Sequence, residues 1–384
     1  MKVGVAGAGA MGSGIAQVAA SAGHDVVLMD TNQQVLDKAI KAITDSTKKL
    51  VDKNKIEKAE ADGLLARITT ATTVEGFSGC GLVIEAVVEK LEIKQELFRE
   101  IEKHIDSQAI LATNTSSLPV VSIANGCMHS ERVIGIHFFN PAVLMPLVEI
   151  IPALTTHSSV LEEAQQLIRS WGKHTVVAKD TPGFIVNRVA RPFYGEAIKI
   201  YEEGIASTST IDWAMKEFGG FRMGPFELMD FIGNDVNYSV SETVWKQLFY
   251  DPRYKPSLTQ KRLSEAGMLG KKSGKGYYDY TPGAVLPAPD KNEVLGKYIF
   301  ERILAMLINE AADALYLNIA TRDDIDTAMT KGVNYPMGLL GWADTFGIGK
   351  VIEILDGLDA DYRDGRYRTS LLLRKMKSEV RKFY

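Results

Sequence analysis

Cysteine is almost absent from this chain. Two residues, Cys80 and Cys127, stand in 384. They form neither a disulfide framework nor a zinc-ligand pattern, so no metal is expected. A chain without disulfides suits a reducing cytosol, and cytoplasmic is the expected location. No secretory leader is expected either, because the first apolar strand starts at Lys2. No apolar run reaches the roughly 20 residues that span a bilayer, so no membrane partner is expected. An excess of one charge is also missing. The formal net charge is −4, and nucleic acid is not an expected partner. Histidine is sparse, at six residues, so each can be weighed singly. The hydrophobic fraction of 46% and charged fraction of 24% are ordinary for a globular chain. At this length two or three domains are expected.

What is present starts at the N-terminus. The apolar run Val3-Gly4-Val5-Ala6 leads into Gly7-x-Gly9-x-x-Gly12. A breaker-free helical stretch from Ile15 to Ala20 follows, then a second apolar run, Val26 to Met29, ending at Asp30. Glycines alone are weak signals, but strand, loop, helix and acid in this order form a dinucleotide-binding βαβ unit. Gly7 allows the tight turn, Gly9 lets the backbone approach a pyrophosphate, and Gly12 lets helix and strand pack closely. The helix start, with Ala10 and Met11, offers free N–H groups to the phosphates. Asp30 would accept from the adenosine ribose hydroxyls and repel a 2′-phosphate, and no Arg or Lys follows in residues 31–34. The cofactor expected is therefore NAD. The plainer reading of Asp30 is a helix N-cap.

Strands and helices alternate through the first half. Apolar strands are read at 82–87, 109–113, 133–138, 147–151 and 175–178, with helices at 91–105 and 160–171. This is an open, mostly parallel α/β sheet. Residues 32–66 interrupt the pattern as two long lysine-rich helices. They are either a solvated hairpin or a clamp for an anionic, phosphate-bearing part of a substrate. Asp180-Thr181-Pro182-Gly183 marks a boundary, with Thr181 as N-cap and Pro182 as first helical residue. Beyond it only helices are expected.

The second half repeats itself. Glu196-Ala197 recurs 114 residues later as Glu310-Ala311. At the same offset Ile205-Ala206 matches Ile319-Ala320, Ile211-Asp212 matches Ile325-Asp326, and Met223-Gly224 matches Met337-Gly338. Asp230 and Gly233 match Asp344 and Gly347. No gap is needed. Two copies are too few for a solenoid, so this is a duplicated helical domain joined by a Pro/Ala/Gly linker. The expected organisation is a Rossmann-type α/β nucleotide-binding domain at 1–180 with its insertion near 32–66. Two tandem all-α domains follow at 181–284 and 290–384, the last one structural.

A nicotinamide enzyme needs an acid or base near the carbon that exchanges hydride. Among His24, His104, His129, His137, His157 and His174, only His137 falls at the carboxyl end of a sheet strand, where such sheets bind ligands. Glu149 lies in the apolar strand Leu147-Val148-Glu149-Ile150-Ile151, where a carboxylate must find a partner. An imidazole would be held in one tautomer by it. A lysine or arginine is the competing partner.

Four segments in order carry a family resemblance: Asn114-Thr115-Ser116-Ser117, His137-Phe138-Phe139-Asn140-Pro141, Leu147-Val148-Glu149, and Lys179 through Arg188. Together they resemble the L-3-hydroxyacyl-CoA dehydrogenases, including the bacterial 3-hydroxybutyryl-CoA dehydrogenases. The likeness runs over about residues 1–280. It implies that His137 and Glu149 are the catalytic pair, with Ser116 and Asn187 positioning the substrate's oxygens and Asn140 in the substrate site. It also implies that Glu89, Lys94 and Asn114 contact the nicotinamide end of the cofactor. The lysine-rich insertion would meet coenzyme A, with Lys48, Lys49, Lys53 and Lys55 as candidates. The implied reaction is NAD-dependent oxidation of a short to medium (S)-3-hydroxyacyl-CoA, such as 3-hydroxybutyryl-CoA, to the 3-ketoacyl-CoA, and its reverse. It belongs to fatty acid β-oxidation or related acyl-CoA metabolism. Because Asn187 falls in the helical part and His137 in the sheet part, the site is expected where the two domains meet.

The chain departs from the family pattern in places. The first copy reads Gly220-Phe221-Arg222-Met223, without the usual tyrosine-proline, while the second keeps Tyr335-Pro336-Met337. Leu339-Leu340 replaces Pro225-Phe226, and Glu301 stands where Asn187 would recur. Family members with one helical domain form dimers through it. The duplication is therefore expected to form an intrachain pseudo-dimer, with 299–317 packed on 185–201, leaving a monomer or a dimer by another face. The competing readings are a non-catalytic, crystallin-like NAD binder and a dehydrogenase of a small free hydroxy acid.

Overall fold

The apolar run before the glycine loop becomes β1 (Lys2–Ala6), with Val3, Val5 and Ala6 fully buried in the computed structural model, which describes residues 1–384. The chain divides into two units, Met1–Thr181 and Pro182–Tyr384.

In the first unit, β1 is followed by α1 (Ala10–Ser21), β2 (Asp25–Met29), α2 (Gln33–Asp52), α3 (Lys58–Ala66) and β3 (Ile68–Ala71). Next come β4 (Leu82–Glu85), α4 (Leu91–Glu102), β5 (Ile110–Thr113), α5 (Val120–Ala124) and β6 (Val133–Phe138). The unit closes with β7 (Leu147–Pro152), α6 (Ser158–Ser170) and β8 (His174–Val177). The eight strands lie in the order β3-β2-β1-β4-β5-β6-β7-β8. Neighbours are parallel except the antiparallel pair β6–β7. The order reverses between β1 and β4, the point where sheets of this kind open a ligand crevice at their carboxyl edge.

Side chains alternate across a strand, and the alternation sorts core from chemistry. Val5, Leu28, Ile84, Ala112, Ile136 and Ile150 share one buried cluster with Ile15, Leu36, Leu64 and Ile168 of the helices. His137 and Glu149 have the opposite parity and belong to the other face, as do Glu85 and Thr113. Strand β3 was not anticipated. It is four residues long, sits at the sheet edge, and exposes Thr69 and Thr70, so it carries almost no apolar signal. The insertion is one long helix of 20 residues and a short one of 9, not two long ones. Strand β4 stops at Glu85 and helix α4 at Glu102, each short of its expected end.

The second unit begins with α7 (Val186–Val189), α8 (Arg191–Glu202), α9 (Thr208–Gly219), α10 (Pro225–Ile232), α11 (Asn234–Gln247) and α12 (Leu258–Glu265). Then follow α13 (Glu293–Tyr316), α14 (Arg322–Gly332), α15 (Leu339–Phe346), α16 (Ile348–Tyr362) and α17 (Leu371–Ser378). Two isolated antiparallel bridges around Lys275 are the exception to an all-helical unit. Helix α13 packs against α8 and α9, and its Ile299, Ile303, Leu304, Met306, Leu307 and Ile308 are fully buried.

The repeat is visible bond by bond. Asp212 accepts from the amides of Phe226 (2.9 Å) and Glu227 (3.0 Å), as Asp326 does from Leu340 (2.8 Å) and Gly341 (2.9 Å). Asp230 accepts from the amides of Tyr277 and Tyr278, and Asp344 from those of Phe383 and Tyr384. The second copy thus runs to the last residue.

Candidate active site

The glycine loop closes the carboxyl end of β1. Gly7 has φ +97°, where a side chain is strained. A Cβ on Gly12 would lie 1.8 Å from the Gly7 carbonyl oxygen, so only glycine lets α1 start there. A Cβ on Gly9 would meet nothing within 4 Å: the loop's outer side is open. Helix α1 has no side-chain cap, and its first turn, with Ala10 and Met11, carries no acidic residue. Its unsatisfied N–H groups therefore suit an anion. Asp30 accepts from the amides of Ala8 (3.0 Å) and Asn32 (3.0 Å). It is not the helix cap; Asn32 caps α2 by accepting from Gln34 at 2.9 Å.

Antiparallel register sets His137 directly opposite Glu149 across β6 and β7. Facing residues share a side of the sheet, and Nδ1 of His137 lies 2.7 Å from Oε2 of Glu149. Glu149 is fully buried and His137 is 6% exposed. The imidazole is thus a partner of this carboxylate. With Nδ1–H donating to the carboxylate, Nε2 is the basic nitrogen. The ring packs 4.6 Å from that of Phe139.

The loop after β5 carries Asn114 and Ser116. Oδ1 of Asn114 accepts from the Phe138 amide at 2.8 Å, tying this loop to the residue after His137. Oε1 of Glu89 accepts from the Thr115 hydroxyl (2.6 Å) and the amides of Ser116 (3.0 Å) and Ser117 (3.1 Å). Lys94, 1% exposed, places its ammonium between Glu85 (2.6 Å) and Glu89 (3.1 Å). Glu85 also accepts from the Thr113 hydroxyl at 2.7 Å. Burial opposes the charge on Glu89, yet Lys94 and the hydroxyls of Thr115 and Ser117 hold its carboxyl below the usual range. Lys94 is therefore a buried clamp beneath the Ser116 loop. Glu85, Thr113 and Thr115 were missed from sequence. A carboxylate closing the apolar strand Leu82-Val83-Ile84, the same signal that marked Glu149, could have found Glu85.

Lys48, Lys49, Lys53 and Lys55 are all exposed and make no ion pair within the chain. Asn140 is exposed in the turn after β6. In the second unit, Asn187 lies half-buried in α7.

Residues 2–181 match the 3-hydroxyacyl-CoA dehydrogenase NAD binding domain, and the C-terminal domain of the same enzymes matches twice, over 183–280 and 298–382. This chain belongs to the 3-hydroxyacyl-CoA dehydrogenase family. Among its relatives, 3-hydroxyadipyl-CoA dehydrogenase of Escherichia coli is 36% identical, with 97% of this chain and 96% of that protein covered. Human mitochondrial hydroxyacyl-coenzyme A dehydrogenase is 42% identical over 72% of this chain and 90% of its own. Among solved structures, a 3-hydroxybutyryl-CoA dehydrogenase from Escherichia coli K12 superposes with a TM-score of 0.94 at 35% identity, covering 99% of this chain and 98% of that one. The (S)-3-hydroxybutyryl-CoA dehydrogenase of Ralstonia eutropha, with a TM-score of 0.71 and 36% identity, covers 73% of this chain and 99% of its own. For a 3-hydroxyacyl-CoA dehydrogenase family member the NAD binding domain is the first unit, and the open side of Gly9, the uncapped α1 and the Asp30 carboxylate fit that dinucleotide. No helix in the chain is long and apolar enough to cross a membrane.

Proposed function

We propose that this protein oxidises (S)-3-hydroxyacyl-CoA to 3-ketoacyl-CoA with NAD, and catalyses the reverse reduction. The observation that carries this is the 2.7 Å pair of His137 and Glu149 on the ligand-binding edge of the sheet. Gly7, Gly9, Ala10, Met11, Gly12 and Asp30 would hold the dinucleotide. Bound NAD supplies the hydride acceptor, which no side chain can provide. Nε2 of His137 takes the proton of the 3-hydroxyl, and the buried Glu149 carboxylate stabilises the imidazolium that results. In reduction the same imidazolium returns the proton to the nascent alkoxide. Acid–base assistance of this kind contributes on the order of 10² to 10⁴ in rate. Ser116, Asn140 and Asn187 are assigned to the substrate's oxygens, and the exposed lysines Lys48 and Lys49 of α2 and Lys53 and Lys55 just beyond its end to coenzyme A. Glu89, Lys94 and Asn114 are assigned to the nicotinamide end through the loop they organise.

The test is an NADH absorbance assay. Oxidation of NADH is expected with acetoacetyl-CoA or with longer or dicarboxylic 3-ketoacyl-CoA thioesters, and not with free acetoacetate. Turnover of the free acid would make this a hydroxy-acid dehydrogenase, and no turnover of either would make it a binder.

We infer further that the second helical copy is a built-in partner for the first, so that the chain works as a monomer or dimerises by another face. Reciprocity supports this. Arg188 donates from Nε to Glu310 at 2.7 Å, and Arg302 from Nε to Glu196 at 2.6 Å. Each residue is the other copy's equivalent at the 114-residue offset, the signature of a self-complementary interface. The second copy is assigned a structural role. The free thiols of Cys80 and Cys127 favour a cytoplasmic location.

A further inference from the structure

We propose that Glu310, in the second helical copy, is a positioning residue for Asn187, acting through Arg188. The inference rests on the substrate-binding role assigned to Asn187 above.

Asn187 stands on a short element whose direction depends on its packing. Helix α7 is a single turn, too short to be stable by itself. It is entered through Gly183 at φ +78° and Phe184 at φ +46°. It is left at Ala190, just before Pro192, which has no N–H to return to the carbonyl of Arg188. The equivalent stretch of the second copy needs no such support, being part of the continuous 24-residue α13.

Val186 and Val189 bury the apolar side of α7, and the one buried charge on the turn is the side chain next to Asn187. Arg188 is buried, 6% exposed, and its Nε donates to Oε1 of Glu310 at 2.7 Å. Successive helical residues point about 100° apart. Locking the Arg188 guanidinium inward therefore sets the rotation of the turn and so the direction of Asn187. Glu310 is itself fixed: it is fully buried and accepts also from Arg253 (3.2 Å) and the Tyr254 hydroxyl.

The molecule carries its own control. Glu196 is the twin of Glu310. It is fully buried and accepts from Arg302 (2.6 Å), Arg366 (3.0 Å) and the Tyr367 hydroxyl (2.7 Å), all in the second copy. Its partner Arg302, however, is preceded by Glu301, which pairs with Lys350 instead of offering an amide. Both carboxylates hold the copies together; only one stands beside an asparagine. A purely structural role predicts equal consequences for the twins, and a positioning role predicts unequal ones.

The experiment compares Glu310→Gln with Glu196→Gln in the full chain, reading melting temperature and steady-state kinetics with NADH and acetoacetyl-CoA. Both variants are expected to melt lower by similar amounts. Glu310→Gln should lower kcat/KM for acetoacetyl-CoA by about tenfold or more, with KM for NADH changed less than about twofold, while Glu196→Gln stays within about twofold throughout. Equal kinetic losses, or none in Glu310→Gln, overturn the proposal. If either variant fails to fold, Tyr254→Phe and Tyr367→Phe remove one donor from each carboxylate and give the same comparison, with a loss of about threefold expected in Tyr254→Phe alone and equality overturning it. Asn187→Ala separates the two levels. If it retains normal kcat/KM, the role of Asn187 fails and this proposal with it. If it is impaired while the twins behave alike, only the proposal fails.

Discussion

At the scale of single residues, the proposed function puts the chemistry on His137 and the choice of cofactor on Asp30. Replacing His137 with Gln removes the base but leaves the glycine loop untouched. Turnover is expected to fall by at least about 10², with NADH binding, measured by fluorescence titration, nearly unchanged. Glu149→Gln should also lower turnover, because the imidazolium loses its counter-charge at 2.7 Å. Near-normal turnover in His137→Gln would remove this residue from the reaction. Asp30 is the proposed selector of the cofactor. Its carboxylate is anchored by two backbone amides, so it cannot swing away from a 2′-phosphate, and like charges repel. NADH should support far more activity than NADPH, and comparable kcat/KM values would contradict the role given to Asp30.

At the scale of elements, α4 and the loop after β5 act together through Lys94. The ammonium is buried between two carboxylates, and removing one partner of a buried pair leaves uncompensated charge. Lys94→Met is expected to destabilise the protein by about 3–5 kcal/mol in urea titrations. It should also lower kcat/KM, because Glu89 no longer holds the loop that carries Ser116. A variant of unchanged stability and activity would show that the clamp is dispensable. The pH dependence has a definite sign. Glu89 is held below its ordinary range, so its contribution is complete above that range and is lost as the pH falls through its folded value. In acid, the stability gap between Lys94→Met and the parent should therefore narrow.

Element by element, legibility followed signal strength. The glycine loop, β1, β2 and β6 were legible because buried parallel strands read as apolar runs. Glu149 was legible because a charge inside such a run demands a partner. Strand β3, Ile68-Thr69-Thr70-Ala71, was not, because an edge strand needs no apolar face. The ion pair of Arg188 with Glu310 was hidden for a different reason. Both residues repeat at the 114-residue offset, but only the packing of α13 on α8 shows that each copy's arginine meets the other's glutamate.

At the scale of the whole molecule, the question is whether the second copy can be dispensed with, since some relatives match only 73% of this chain over nearly their whole length. Here the family's C-terminal domain matches twice. Six large side chains of α13 are fully buried, and at about 1.5–3 kcal/mol each, discounted for a compact unfolded chain, their burial contributes on the order of 10 kcal/mol. Removing them would expose the facing apolar surface of α8 and α9. It would also leave Glu196 without Arg302 and Arg366, and Arg188 and Arg253 without Glu310. Such a surface is self-complementary by descent, because it was matched to a copy of itself. A chain ending at Thr281 is therefore expected to dimerise or aggregate, and the full chain is expected not to associate through this face. Analytical ultracentrifugation of both, with activity measured on each species, decides the matter. A truncated chain that stays monomeric, soluble and fully active would mean that the second copy is not a built-in partner.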